Sequence, residues 1–304
     1  MLSFEIISDL EQAKNLWLQF SYDQTLFDTW EFRYCFYKYF NFPIHFILGK
    51  DESNEYVGLL ALQRNTTEGY LEFFGGSWME DNKLFIKQGY EQEAQSFYAQ
   101  INEPAHLIGI NGNSDYEKSL VLDEYKYILP ISNYNSYQDY ITDKFNKKTQ
   151  QTYARKFRKI ESLNPELLLN QDQDIEKLIE YNLLTFGQDS SFHSPYRKEI
   201  YRDILALPFN KYLLSIKIEG QIEAVCLNIE YKGTMFYLNA GANNQKIPNL
   251  GSYIIMQAID IGIKNKFIAF DALMISYNWK ERWHFNKIPF NKFDHLYQPA
   301  QPSI

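Results

Sequence analysis

Hydrophobic and polar positions follow a recurring order in the second half of the chain. Two apolar runs, residues 212–218 and 223–231, flank Glu219-Gly220, and a third run, residues 234–240, follows Lys232-Gly233. Both dipeptides are typical of the tight turns that join antiparallel strands. The pattern therefore predicts a three-stranded β-meander.

A helix and a further strand are predicted directly after this meander. Gly251 precedes apolar residues at helical spacing, from Tyr253 to Ile261, and residues 266–270 form a short apolar strand with Asp271 at its end. The order strand, glycine turn, helix leaves free backbone N–H groups at the helix N-terminus. Such a terminus is a site for an anion, and in particular for a pyrophosphate.

The same order of elements occurs earlier in the chain, which indicates an internal repeat. The first copy has apolar runs at residues 45–50, 55–62 and 69–75, a predicted helix at 84–100 and a predicted strand at 106–110. The fold class is therefore α/β, with two units in tandem, each a mixed and mostly antiparallel sheet flanked by helices. We expect the units to span residues 1–135 and 136–304.

The two copies differ where the long helix begins. The second copy has Gly251 there, whereas residues 77–82 of the first include Trp78 and the acids Glu80 and Asp81. Because like charges repel, this acidic segment is poorly suited to a phosphate. We therefore place cofactor binding in the second unit and interpret the first as a degenerate unit that serves as scaffold or substrate platform.

Composition narrows the class of protein. The 304 residues are 45% hydrophobic with a net charge of −8, and the two cysteines, Cys35 and Cys226, lie in apolar contexts typical of reduced core residues. No metal-ligand spacing occurs, and no apolar run approaches the ~20 residues that a membrane span requires. With no secretory leader pattern at the N-terminus, we expect a cytoplasmic protein without a metal ion.

One segment departs from the acidic composition. Residues 144–160 contain seven Lys and Arg residues and no acid, which leaves the rest of the chain at −15. Apolar residues recur at helical spacing from Phe145 to Ile160, so the segment predicts a helix with one packed stripe and a cationic remainder. That remainder is either a solvated face or a surface for an anionic ligand such as CoA, a nucleotide sugar or tRNA.

Together these features resemble the GNAT superfamily of acyltransferases, in its tandem, FemAB-like form with a CelD-type acetyltransferase domain. The resemblance is carried by the order of four segments rather than by any single motif. They are residues 136–140 with the basic helix, the strand–turn–strand of residues 218–224, the Pro-Asn-Leu-Gly-Ser turn at residues 248–252, and Phe270-Asp271 followed by residues 277–283.

The resemblance implies an N-acyltransferase. An acyl group, acetyl in the simplest case, would pass directly from acyl-CoA to an amine of a small molecule or amino sugar. A FemX-like aminoacyltransferase that uses aminoacyl-tRNA, with tRNA as a partner, is the first alternative. A catalytically inactive GNAT-like binding module is the second.

The resemblance also assigns the donor site. The residues implied to hold the thioester carbonyl and the pyrophosphate are Asn239, Ala240, Lys246, Asn249, Leu250, Gly251 and Ser252. Many family members have Arg or Gln, then Gly, then Gly or Ala in this turn. Here Lys246, Asn249 and Gly251 take those places, so Asn249 stands where the first glycine is usual.

Five residues are candidates for the chemistry of transfer. Asp271 and His193 could act as base, Tyr237 and Tyr277 could protonate the leaving thiolate, and Lys280 could stabilise developing negative charge. Each also has an ordinary structural interpretation. Asp271 could cap a turn or pair with Lys280, a loop histidine is often only solvated, and the tyrosines could simply pack.

Overall fold

The chain forms two compact units in the computed structural model, which describes residues 2–112, 116–194, 196–276 and 278–297. Unit 1 contains the residues up to Lys126 and those from Ile288 onward, and unit 2 contains Tyr127–Lys287. Residues 288–297 thus group with unit 1 although they follow unit 2 in the sequence. The reason is strand pairing, since the last strand of the chain completes the sheet of unit 1.

Unit 1 is a mixed sheet with two helices that precede its central strands. Its elements are β1 (Ser3–Ile7), α1 (Leu10–Phe20), α2 (Trp30–Phe40), β2 (Ile44–Lys50), β3 (Tyr56–Asn65), β4 (Tyr70–Phe73), β5 (Phe85–Ile86), α3 (Ala94–Tyr98) and β6 (Ala105–Ile110). A long strand, β7 (Val121–Pro130), then leads into unit 2. The strand that pairs with β6 is the last of the chain, which is numbered β13 (Asn286–His295).

The predicted helix at residues 84–100 is wrong. Phe85–Ile86 instead pairs with β3, and only Ala94–Tyr98 is α-helical. Phe85 is buried with its ring 5.1 Å from that of Trp17, so burial in the aromatic core of unit 1 overrides the helical pattern. Gly89, at φ +93°, separates the strand from the helix.

Unit 2 repeats the order of elements of unit 1, with a longer helix after its three meander strands. Its elements after β7 are α4 (Tyr137–Lys144), α5 (Lys147–Glu161), β8 (Glu166–Leu169), α6 (Ile175–Phe186), α7 (Arg197–Leu205), β9 (Asn210–Ile218), β10 (Gln221–Tyr231), β11 (Thr234–Ala242), α8 (Leu250–Lys264), β12 (Ala269–Met274) and α9 (Trp279–Arg282). The strand order is β7-β12-β11-β10-β9-β8, against β1-β2-β3-β4-β6-β13 in unit 1. The tandem α/β architecture predicted from the repeat is confirmed.

The two turns of the predicted meander are confirmed. Glu219-Gly220 has φ values of 52° and 79°, and Lys232-Gly233 has 48° and 79°. Positive φ at both central residues is the geometry of a type I′ turn, whose twist matches that of the flanking strands. Strands β9, β10 and β11 consequently pair antiparallel in sequence order.

Helices cover both faces of the unit 2 sheet. Consecutive residues of β10, Ala224–Ile229, are buried, which requires cover on both sides, and α6 and α8 pack against β10 and β11. The approach of α6 is close at Gly241, where a Cβ atom would lie 2.5 Å from the carbonyl oxygen of Leu178. Only glycine permits that approach, which brings polar side chains of α6 within reach of β11.

The basic segment forms parts of two helices rather than one. Helix α4 ends at Lys144, and α5 starts after Asn146, whose side chain accepts a hydrogen bond from Thr149 N–H at 2.9 Å. On the inner side of α5, Phe157 packs its ring 5.5 Å from that of Tyr253, in the first turn of α8. The cationic side chains of α5 thus belong to a helix that contacts the start of α8.

Candidate functional site

Strands β11 and β12 run parallel and then part. They pair at Thr234↔Ala269, Met235↔Phe270 and Phe236↔Asp271, whereas β11 continues to Ala242 and β12 to Met274. We call the space between Tyr237–Ala242 of β11 and Ala272–Met274 of β12 the strand gap. Its edges carry main-chain N–H and C=O groups that a bound molecule could use.

Along β11 the direction of the N–H groups can be assigned. Asn243 donates its N–H to Glu223 O of β10 at 2.9 Å. Because this direction alternates along an antiparallel strand, the N–H groups of Ala240 and Ala242 point away from β10, toward the strand gap. Of the two N–H groups predicted to meet the donor carbonyl, those of Asn239 and Ala240, only the second therefore faces the gap.

The Ala240 N–H group already has a partner. It donates to Oδ1 of the preceding Asn239 at 2.8 Å, and the same oxygen accepts from Nδ2 of Asn182 at 2.9 Å. Asn239 donates from Nδ2 to the Tyr201 hydroxyl at 3.2 Å, and Tyr201 donates to Leu238 O at 3.2 Å. The Asn239 amide is thus held against β11 by side chains of both α6 and α7.

Leu238 marks a β-bulge in β11. Leu227 of β10 pairs with Asn239 and Asn228 pairs with Tyr237, so Leu238 has no counterpart. Bulges re-aim the residues that follow them and are frequent beside functional sites. Here the bulge lies at the point where β11 leaves β12.

The turn before α8 is left-handed at Asn249, the residue that precedes the helix. Asn249 has φ 72° and ψ 11°, and asparagine is among the few residues that enter this left-handed region readily. The helical bonds begin at Tyr253 N–H, which donates to Asn249 O at 3.0 Å, and Leu250 is buried. Asn249 therefore permits the left-handed backbone of the turn.

At the helix tip the amides are partly engaged by the chain itself. The Gly251 N–H donates to Oδ1 of Asn244 at 3.0 Å, and Leu250 N–H donates to Ile247 O at 3.3 Å. Ser252 is half-buried in the first turn. A phosphate at this tip would replace the Asn244 oxygen as acceptor for Gly251.

Lys246 also has an internal partner. Its ammonium contacts Glu223 Oε1 at 2.5 Å, and Asn243 Nδ2 donates to the other oxygen at 2.9 Å. The hydrogen bond to Glu223 raises the pKa of Lys246. Glu223 is 2% exposed while the lysine side chain is about half exposed, so the ammonium can reach outward only by leaving a buried carboxylate.

The end of β12 is sharply bent. Asp271 is the third residue of the strand rather than its end, is 1% exposed, and accepts the N–H of Leu273 at Oδ1 at 2.8 Å. Lys280 of α9 is 3% exposed and donates from Nζ to Leu273 O at 3.1 Å and to Met274 O at 2.5 Å. These two predicted reaction groups thus contact the same strand end, through its backbone.

The remaining predicted reaction groups lie in different settings. Burial raises the pKa of Tyr237 well above its ordinary value, and its ring packs near those of Phe270 and Trp279. His193 is exposed and contacts Gly187 O through Nε2 at 2.9 Å. Because a carbonyl oxygen can only accept, Nε2 is the donor in this contact. Tyr277 lies outside the described residues.

Glu281 binds α9 to neighbouring residues of unit 2. Burial alone would raise the pKa of Glu281, but hydrogen bonds from Tyr127 and Ser276 lower this pKa from 4.5 to about 2. The free energy of unfolding should therefore include a contribution from the charged carboxylate that is complete above pH 4.5 and is lost as the pH falls toward 2. Since the side chain is 32% exposed, we expect only about 1 kcal/mol.

This expectation can be checked by acid unfolding. Wild type and Glu281→Gln, unfolded with denaturant between pH 7 and pH 2, should differ most at neutral pH and converge toward pH 2. A difference that is the same at every pH would contradict the assignment.

Sequence reasoning missed the polar partners of β11 and of the helix tip. Asn182 was detectable, because it follows Ile175, Leu178 and Ile179 at helical spacing, so a polar residue occupies a core position of α6. Ser190, which donates to Asn182 Oδ1 at 2.7 Å, gives no such signal, since its place depends on how the loop after α6 folds back.

The equivalent gap in unit 1 is filled by the chain itself. Strands β4 and β6 pair only at Leu71↔Ala105, and beyond this Asn82 forms a parallel bridge with Ile110. The Asn82 side chain also donates to Ile108 O at 2.8 Å. In the described part of unit 2 no segment bridges β12, the counterpart of β6, in this way, so the strand gap distinguishes the second unit from the first.

Two further properties were checked on the described residues. Within 2–112, 116–194, 196–276 and 278–297, no group of three or more His, Cys, Asp or Glu side chains is placed to hold a metal ion. The same residues include no helix long and apolar enough to cross a membrane.

Comparison with known proteins gives one family match. Residues 147–281 match the family model described as an acetyltransferase (GNAT) domain, which spans α5 to α9 and so includes the strand gap. No curated protein sequence matches the chain.

Solved structures share the fold over nearly the whole chain. A conserved protein of unknown function from Bacteroides thetaiotaomicron VPI-5482 superimposes with a TM-score of 0.58 at 11% identity, covering 95% of this chain and 98% of that one. FemX gives 0.56 at 10% identity, with 96% and 97% covered. The C-terminal domain of a putative lysylphosphatidylglycerol synthetase from Agrobacterium fabrum gives 0.57 at 6% identity, with 93% and 92% covered.

Proposed function

Residues 147–281 form a GNAT acetyltransferase domain, and from this premise we propose that the protein is an N-acyltransferase. It would move an acyl group, acetyl in the simplest case, from acyl-CoA to an amine of a small molecule or amino sugar. The observation that carries the proposal is the strand gap, which lies beside the β11 amides and which no segment fills among the residues that the structure describes.

The donor would lie along β11 with its acyl carbonyl near Ala240. The N–H of Ala240 faces the gap and would stabilise negative charge on the carbonyl oxygen, a role now taken by hydrogen bonding to Asn239 Oδ1. Gly251, Ser252 and Lys246 would hold the phosphates, with the donor displacing Asn244 and Glu223 as their partners.

Transfer requires one carbon–nitrogen bond to form and one carbon–sulfur bond to break. The amine attacks the thioester carbon, the thiolate leaves, and the proton of the attacking nitrogen passes to a base. We assign that role to His193, because its Nε2 donates to Gly187 O and the second nitrogen of a neutral imidazole can accept a proton. With its raised pKa, Tyr237 keeps its proton and would act as a hydrogen-bond donor rather than as an acid.

One observation favours an aminoacyl-tRNA donor as a second candidate. No carboxylate pairs with the cationic side chains of α5 among the described residues; they are Lys147, Lys148, Arg155, Lys156, Arg158 and Lys159. Such a surface favours a polyanion, and binding to it would weaken steeply with salt.

Calorimetric titration with CoA, acetyl-CoA and unfractionated tRNA separates these functions. Acetyl-CoA should bind the wild type, and Gly251→Trp should weaken that binding by roughly 100-fold because the indole fills the helix tip. Gly251→Ala is the matched control, since its Cβ would meet chiefly the movable Asn244 side chain at 3.2 Å.

Three results would contradict the proposal in different ways. Unchanged acetyl-CoA affinity in Gly251→Trp would refute the placement of the donor. Salt-sensitive tRNA binding without CoA binding would establish the second candidate. Binding of neither ligand would leave a GNAT-like binding module without transfer activity.

A further inference from the structure

The strained end of β12 is the feature that the transfer chemistry leaves unexplained. Leu273 has φ +64° and Ile275 has φ +65°, in the left-handed region that glycine favours. A β-branched residue such as Ile275 is rare there, and strained backbone persists only where the surroundings hold it in place. Both residues come after Asp271, the last residue of β12 that pairs with β11.

The surroundings that hold this strain are two buried side chains. Asp271 accepts the N–H of Leu273 at 2.8 Å, which fixes the turn over three residues. Lys280 donates to the carbonyls of Leu273 and Met274 in the same segment. One side chain binds the N–H and the other the C=O groups of the bend, beyond the last residue of β12 that pairs with β11.

The burial of these two side chains indicates a role beyond stability. Asp271 is 1% and Lys280 is 3% exposed, and ionised groups are costly to remove from water. Lys280 also lies 5.0 Å over the ring of Tyr127, which adds a cation–π contact to its position. A strand that simply ended at Asp271 would need neither charge.

We propose that Asp271 and Lys280 are positioning residues that hold the end of β12 away from β11 and keep the strand gap open before a donor binds. Neither acts on the reacting atoms, so Asp271 is not the base. The expected effect on donor binding rests on the proposed function. The stability of the bend can be measured without any ligand.

The substitution of Asp271 by asparagine separates positioning from base catalysis. A carboxamide oxygen can still accept the Leu273 N–H but cannot take up a proton. Asp271→Asn should therefore retain donor affinity and kcat within about twofold, whereas Asp271→Ala and Lys280→Met should each weaken acetyl-CoA binding by roughly tenfold. Lys264→Met, on the exposed end of α8, is the control and should change neither quantity.

Hydrogen–deuterium exchange of the ligand-free protein supplies the second readout. Amides of residues 273–276 should exchange at least roughly tenfold faster in Asp271→Ala and Lys280→Met than in the wild type, with the rest of unit 2 unchanged. This measurement needs no donor, so it tests the bend even if acetyl-CoA fails to bind the wild type.

The proposal has clear points of failure. If Asp271→Asn loses kcat as completely as Asp271→Ala while donor affinity is unchanged, Asp271 acts on a proton and the positioning role is wrong. If exchange at residues 273–276 is unchanged in both Asp271→Ala and Lys280→Met, neither side chain holds the bend. Should Asp271→Ala fail to fold, kcat of the asparagine variant alone decides the point.

Discussion

Replacement of Gly241 by alanine is expected to lower the free energy of unfolding by about 3 kcal/mol. The added Cβ would lie 2.5 Å from Leu178 O, 2.9 Å from Asn182 N and 2.9 Å from Tyr181 Cβ. Two of these three atoms belong to the backbone of α6, which cannot rotate away as a side chain can. The helix would have to move off β11, and it would carry Asn182 away from Asn239.

Denaturant unfolding of Gly241→Ala, with Gly251→Ala as the matched variant, checks this expectation. At Gly251 the nearest atom is in a flexible side chain and alanine favours the helix, so that variant should stay within about 1 kcal/mol of the wild type. Equal effects of the two substitutions would mean that α6 does not rest on β11 as closely as described.

The second large effect is expected at Arg33 in unit 1, where methionine should lower the free energy of unfolding by about 4 kcal/mol. The guanidinium is 2% exposed and donates to Phe27 O at 2.6 Å, to Phe74 O at 2.9 Å and to Asn82 Oδ1 at 2.7 Å. Burial lowers the pKa of Arg33 to about 10, so it remains charged at neutral pH.

Two opposing contributions decide whether Arg33→Met raises or lowers the free energy of unfolding. Removing a buried charge is favourable in itself, because that charge is desolvated. Against this, three buried acceptors lose their donor, and the nearby carboxylates of Asp28 and Asp81 lose a compensating cation. The orphaned acceptors outweigh the desolvation term.

Arg158→Met, on the exposed face of α5, is the matched control for this substitution. It should change the free energy of unfolding by no more than about 0.5 kcal/mol. A small effect at Arg33 would show that unit 1 can repack around the loss, and that the segment filling its gap through Asn82 does not depend on this arginine.

The filled gap of unit 1 gives a structural reason for the asymmetry between the repeats. In unit 1 the Asn82 side chain donates to Ile108 O of β6 and accepts a hydrogen bond from Arg33. The residue that fills the gap therefore also binds the buried guanidinium. In unit 2 the corresponding strands part beside a long helix with Asn249 and Gly251 at its start. The sequence contrast between Gly251 and the acids of residues 77–82 anticipated this difference, although for a different reason.

Local chemistry explains which predictions were confirmed. The turns at Glu219-Gly220 and Lys232-Gly233 require positive φ, and the residue types alone indicate it. Helix α8 was predicted from the spacing of its apolar residues, which extends over several turns. The family resemblance was likewise carried by the order of such local signals, and the family match over residues 147–281 confirms it.

The partners of the candidate site residues could not be predicted from local sequence signals. Asn239 meets Asn182 across 57 residues of chain, and Lys246 meets Glu223 across 23, so these contacts exist only after α6 and the sheet have packed. Asp271 differs from these residues, because its contact with the Leu273 N–H is local and turn capping was one of the interpretations that the sequence allowed.

By itself the sequence determined the repeat, the turns, the helix that begins near Gly251 and the resemblance of residues 147–281 to a GNAT domain, because each depends on residues close together along the chain. Tertiary structure alone decided where the units divide and which amide of β11 faces the gap. These outcomes depend on strand register and on the approach of α6 at Gly241, and register is set by contacts between residues that are distant in sequence.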